Sequence, residues 1–159
     1  MGYPQDLLEA AHSFLLVEPP TQATLRRTVS TAYYALFHLL IEDACRLWRE
    51  PDHRGRLSRQ FDHKRMREAS ASRASACETG TDLWVVSHTF VFLQQQRHAA
   101  DYDLALIVSP LDVAVYLGTA QLAFQSWSRI REDPPARETS SRFCSETAFN
   151  QPLAWYPEA

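Results

Sequence analysis

Glycine is scarce in this chain, at 4 of 159 residues. So few glycines argue against an architecture of many tight turns, and the long apolar runs read as helices instead. No run of about 18 apolar residues free of charge occurs, so no membrane-spanning helix is expected. Cysteine is also sparse. Cys45, Cys77 and Cys144 are odd in number and widely separated, a pattern that fits a reducing cytoplasm and not a disulfide scaffold. Neither the cysteines nor the six histidines show metal-ligand spacing. A glycine-rich phosphate loop is missing too, so no cofactor is expected. The opening MGYPQDLLEA has early acids and no basic n-region, unlike a signal peptide. Asp6 stands where a myristoylation motif wants Ser or Thr.

What is present can build a core. Hydrophobic residues make up 45% and charged residues 22%, which suits one globular domain of ordinary size. The net charge of −3 hides an asymmetry. Between Arg46 and Arg73 there are nine Lys or Arg against four Asp or Glu, an excess of five positive charges, with His53 and His63 among them. From Asp101 onward, eight acids face four arginines. The basic middle could face phosphates or be a solvated face of mixed charge.

Along the chain the pattern predicts an all-α fold, an up-and-down antiparallel bundle of four to five helices over residues 1–133. An extended aromatic tail over 134–159 follows it. A first helix over about 4–17 ends at Glu18-Pro19-Pro20. A second runs from about 21 to 49, capped by Thr21. A third, polar and alanine-rich, covers about 57–77 and is expected to pack weakly or lie on the surface. A fourth covers about 82–100 behind Thr81-Asp82. Ser109-Pro110-Leu111-Asp112 starts a fifth, which reaches about 132: a capping Ser, a Pro in the first turn, and an acid facing the helix dipole.

The second helix raises the functional question. At 100° per residue, Arg27, Ser30, Thr31, Tyr34, His38, Ile41 and Cys45 share one stripe of a helix otherwise apolar nearly all round. Buried polar groups need partners. In the fourth helix Val86, Phe90, Leu93 and Arg97 recur at i, i+4, i+7 and i+11, so Arg97 points inward, with Asp101 four residues on and Tyr102 beside it. Arg97, Asp101, Tyr34 and His38 are thus expected to meet in one polar network. That network reads either as a site or as a structural clamp among satisfied core residues.

The residues then resemble a known family. "RRTVSTAYYALFH" over 26–38, followed by "FLQQQRHAADYD" over 92–103, is similar to the HEPN family of nucleotide-binding helical domains. The likeness is to its small bacterial members, marked by S-x-A-Y-Y-A-x-F-H on one helix and R-x-x-A-D-Y after another. "FDHKRM" over 61–66 sits where those members carry a His-Lys or His-Gly turn. The resemblance covers about residues 20–130. It implies a helical bundle that forms a homodimer and a polar cleft for RNA or a nucleotide phosphate. It also implies a role in toxin–antitoxin or defence systems beside a nucleotidyltransferase-type antitoxin, often as a metal-independent ribonuclease.

The enzymes of that family carry an Arg, then about four to six residues, then a His on one helix. Here His98 is adjacent to Arg97 instead, and the spaced matches fall at Arg46 with His53 and at Arg56 with His63. His38, His63 and Arg97 are the candidate catalytic residues. Arg27, Ser30, Tyr34, Lys64, Asp101 and Tyr102 are the candidate ligand-binding residues. The remaining reading is a catalytically silent module for dimerisation or protein interaction.

Overall fold

A computed structural model describes residues 2–46 and 61–133. The 134–159 tail, residues 47–49 of the predicted second helix, residues 57–60 of the predicted third, His53 and Arg56 lie outside the described residues. The described chain is all helical: α1 Tyr3–Leu15, α2 Gln22–Arg46, α3 His63–Ala76, α4 Asp82–Tyr102 and α5 Pro110–Glu132. None of these is long and apolar enough to cross a membrane.

Local signals set the ends. Ser109 and Asp112 form a capping box at the start of α5: the Ser109 hydroxyl accepts from the Asp112 N–H at 3.1 Å, and the Asp112 carboxylate accepts from the Ser109 N–H at 3.4 Å. Thr81 caps α4. Gly80 takes φ +90° in the short link before it, a conformation that glycine adopts without a Cβ penalty. The third helix differs from the sequence expectation. It starts at His63, because the Asp62 carboxylate accepts from the Lys64 and Arg65 N–H groups at 2.8 and 3.1 Å and holds Asp62 in extended backbone. It also packs better than its composition suggests, since Met66 and Ser70 are fully buried.

Contacts fix the directions. Tyr3 meets His38, and a short link joins the end of α1 to the start of α2. Across α2 and α4, Ser30 meets Asp101, Tyr34 meets Arg97, and Tyr33 meets Phe90. Across α4 and α5, Tyr116 meets Gln96 and Arg129 meets Asp82. Helices α1, α2, α4 and α5 therefore alternate in direction, and α2 lies at the centre with a face on each of the other three. Because the His63 carbonyl accepts from Gln94 and the 77–81 link returns the chain to α4, α3 runs antiparallel to α4 and parallel to α2.

Most of α2 is core. Leu25, Val29, Tyr33, Leu36 and Leu40 are at most 3% exposed and pack with Phe90, Leu93, Leu117 and Trp127. Each such side chain contributes about 1.5–3 kcal/mol by leaving water. One charge enters this core. Asp43, 7% exposed, accepts from the Trp127 indole N–H at 2.5 Å, with Arg131 at 3.5 Å and Arg46 at 3.9 Å. Losing that carboxylate would leave a buried indole N–H unpaired, a cost of about 1–3 kcal/mol.

Candidate functional site

The start of α2 is sewn to the chain that leaves α4. Arg26 donates to the carbonyls of Ala100 at 2.7 Å, Asp103 at 2.9 Å and Leu106. A cation there satisfies the free carbonyls of a helix end and faces the negative end of its dipole. Gln22 brackets Val108 with one bond to its carbonyl and one from its N–H. This suture sets the register in which α2 meets the last two turns of α4. Arg26, not Arg27, does this work. Arg27 is exposed at the rim, one turn before Ser30.

In that register the inward polar residues meet. The Arg97 guanidinium donates from Nη2 to the Tyr34 hydroxyl at 3.0 Å. Its Nε lies 2.7 Å from Asp101 Oδ2, with the N–H not aligned on the oxygen, so the contact is an ion pair and not a hydrogen bond. Ser30 donates to the other Asp101 oxygen at 2.5 Å. Arg97 lies over the Tyr34 ring at 5.4 Å and the Tyr102 ring at 5.7 Å, both within cation–π range. The Arg97 and Asp101 side chains are 20% and 29% exposed, so the group is held by protein and still open to a ligand. Nη1 of Arg97 has no bond among the described residues. An arginine has five donors in a fixed fork, so this one keeps donors to spare.

The third helix brings an imidazole to the same place. His63, the first residue of α3, stacks on Phe37 with ring centroids 4.2 Å apart, and its Nδ1 is 2.7 Å from the Tyr33 hydroxyl. Burial lowers the His63 pKa below its ordinary 6.5, and the nearby Arg97 charge lowers it further, against a smaller opposing effect of Asp62. The ring is thus neutral at pH 7, as a proton acceptor must be. Burial pushes the Tyr33 phenol far above its usual range, so Tyr33 stays protonated. Gln94, one turn before Arg97, places its amide within reach of the Tyr33 hydroxyl. Its Oε1 is buried with no partner among the described residues.

His38 sits one turn beyond Tyr34, edge-on to Tyr3 at 5.0 Å and against Phe37 at 5.4 Å. Burial lowers its pKa, and the His63 charge adds to that. Lys64 is exposed, with Nζ 4.0 Å from Glu68, so it borders the cluster without joining it. Tyr102 is 63% exposed and shields Arg97 from outside. The sequence reading did not assign site roles to Tyr33, Gln94 or Asp62. Gln94 shares a helix face with Arg97, a signal that was available.

The open clefts lie elsewhere. One of about 610 Å³ is bounded by α1, α2 and α5 near Asp43 and Trp127. Another of about 370 Å³ reaches His38 from the Tyr3 side. The Arg97–His63 cluster stands out by its chemistry, not by its depth. Among the described residues, no three His, Cys, Asp or Glu gather as a metal site. No protein-family model matches the chain, and neither a curated protein nor a solved structure matches it.

Proposed function

We propose that this is a HEPN-like protein of toxin–antitoxin or defence type, acting in the cytoplasm, which binds an RNA phosphate against α2, α3 and α4. We further propose that it cleaves that RNA without a metal. One observation carries the reading: a half-buried Arg97 with unused donors stands beside a neutral His63. Arg97 and His63 are far apart along the chain and stand on two different helices, α4 and α3.

In this reading Arg97 grips the phosphate through two parallel N–H bonds and offsets charge as it develops. Asp101, held by Ser30, and Tyr34 fix the guanidinium. His63 takes the proton from a ribose 2′-hydroxyl, and the 2′-oxygen attacks phosphorus. The P–O bond to the 5′-oxygen breaks, and the departing oxygen takes a proton from water, with His38 one turn beyond Tyr34 to orient that water. The products are a cyclic phosphate end and a 5′-hydroxyl end. Arg27, Lys64 and Tyr102 line the approach. The resemblance also carries a homodimer and a nucleotidyltransferase-type antitoxin as partners. A second reading has an observation of its own: Asp101 already balances the Arg97 charge, as in the clamp of a silent dimerisation or protein-interaction module.

The test is cleavage of a mixed-sequence RNA by the purified chain in excess chelator. Arg97→Met and His63→Ala, each checked for native helicity, are expected to reduce the rate at least ~100-fold. Binding without cleavage would favour the silent module. Cleavage untouched by both substitutions would sink the assignment.

A further inference from the structure

Rings line the outward face of α4, where charged side chains would be expected. Trp84, His88, Val91, Gln95, His98 and Tyr102 recur at i, i+4, i+7, i+11, i+14 and i+18, which places them on one stripe. His88, Gln95 and His98 are exposed, Tyr102 is 63% exposed, and Trp84 and Val91 are half-buried. No Asp, Glu, Lys or Arg interrupts the stripe, although a solvent-facing helix surface usually carries them. Its rings come in pairs. Trp84 stacks on His88 with centroids 4.6 Å apart and planes 12° from parallel, and His98 lies 4.9 Å from Tyr102 at 53°. Single exposed apolar residues need no explanation, but two ring pairs on one face without an acid do call for one.

The second pair adjoins the polar cluster. The Tyr102 ring has two neighbours, the His98 ring and the Arg97 guanidinium, whose carbon lies 5.7 Å from the ring centre. The nearest acids are engaged. Asp101 pairs with Arg97 and accepts from Ser30, and Asp103 accepts from the Ala105 N–H at 3.0 Å. A phosphate on the unused donors of Arg97 would therefore have a flat, mostly exposed ring within the span of one nucleotide, with an imidazole beside it and no free carboxylate to repel it.

We propose that Tyr102 and His98 form a stacking subsite for the base of an unpaired nucleotide whose phosphate lies on Arg97. The subsite rests on the RNA reading above and adds the state of the strand to it. Every base has a π face, so stacking accepts any sequence. A base within a duplex has its faces covered by its neighbours, and only a splayed base can lie on a ring. The rings thus select single-stranded segments, while Arg97 supplies the charge attraction that any phosphate feels. A base held on Tyr102 also limits the motion of its own nucleotide, and so keeps the phosphate on the Arg97 fork.

Binding to the full chain, followed by fluorescence anisotropy, tests it with a short unstructured RNA, the same strand annealed to its complement, and a backbone analogue of equal length that keeps the phosphates and lacks the bases. Each probe with a 2′-oxygen carries it as a methyl ether, so the nucleophile is blocked and no cleavage intervenes. The wild type is expected to bind the unpaired RNA at least ~10-fold tighter than the duplex or the baseless strand. Tyr102→Leu keeps an apolar side chain without a π face, and its helicity is checked by circular dichroism. It is expected to lose about 10-fold on the unpaired RNA and no more than about 2-fold on the baseless strand. His98→Leu is expected to lose less in the same sense, and Tyr102→Phe to recover most of the affinity. A side chain that acted only by steadying Arg97 would weaken both strands alike. Equal losses on the two strands, or a duplex bound as tightly as the unpaired RNA, overturn the subsite; if Arg97→Met still abolishes that binding, the RNA reading survives. A wild type that binds none of the probes overturns both.

Discussion

Replacing Tyr33 with phenylalanine asks whether the His63 ring is truly held from below. The substitution removes one oxygen and leaves the ring in a site with 0% exposure. Only the 2.7 Å contact with His63 Nδ1 is lost. A neutral hydrogen bond contributes about 0.5–1.5 kcal/mol, so Tyr33→Phe is expected to cost about 1 kcal/mol. In a domain of this size that is a fall of about 2–4 °C in Tm. His63→Ala should cost more. It deletes the stacking on Phe37, worth about 0.5–1.5 kcal/mol, and it leaves the Tyr33 hydroxyl buried without that partner, at about 1–3 kcal/mol.

The informative measurement is the double substitution. Once His63 is gone, the phenol oxygen is a liability. Tyr33→Phe added to His63→Ala should then be neutral or stabilising, an interaction of at least ~1 kcal/mol in a double-mutant cycle. Urea unfolding of the four proteins gives the cycle directly. If Tyr33→Phe costs the same in both backgrounds, the bond is energetically absent, and with it the support for His63 at the site.

Two further outcomes are expected. The pKa values of His38 and His63 are both lowered from 6.5, chiefly by burial, so below about pH 6.5 the unfolded chain binds more protons than the folded one. Stability should therefore fall as the pH drops from 7.5 to 5.5. Asp62 and Asp82, whose pKa values lie below 3.8 when folded, lose their contributions only at still lower pH. Thermal melts across that range should show the fall, and His63→Gln should flatten it. Separately, Arg26→Lys keeps the charge but loses the fork that reaches three carbonyls. It is expected to cost about 1–3 kcal/mol and to speed hydrogen exchange over residues 100–108.

Sequence reasoning worked best where the cause was local. Ser109-Pro110-Leu111-Asp112 announces a helix start because capping chemistry lies within four residues, and the structure shows that box bond for bond. The Arg97–Asp101 pair is likewise legible, since i, i+4 spacing brings the two side chains together on any helix. Register between helices was not legible. Arg26 and Arg27 differ by one step of 100° around α2, and only the position of the α4 end decides which of them reaches its carbonyls. His63 beside Tyr33 depends on where α3 begins. That start is set by Asp62, an acid whose capping role is hidden within a charged run. Asp43 beneath Trp127 joins residues far apart in the chain, and no periodicity points one at the other.

The polar residues of the central helix divide by whether their bonding capacity is used up. Asp43 faces the Trp127 indole with Arg46 and Arg131 beside it. Thr28 returns its proton to the Thr24 carbonyl. Both are buried and serve the fold, because nothing remains on them for a ligand to engage. Tyr34 differs, for it leads outward to an arginine whose Nη1 has no partner among the described residues. His63, whose Nδ1 is occupied by Tyr33, likewise has an Nε2 free among those residues. An Arg97 Nη1 unbonded among the described residues, beside the His63 ring and at a surface only partly buried, leaves this cluster able to bond a ligand. That unused capacity sets the cluster apart from Asp43 and Thr28. It also fits the stripe of arginine, serine, tyrosine and histidine on α2, which lies opposite the face that buries its leucines.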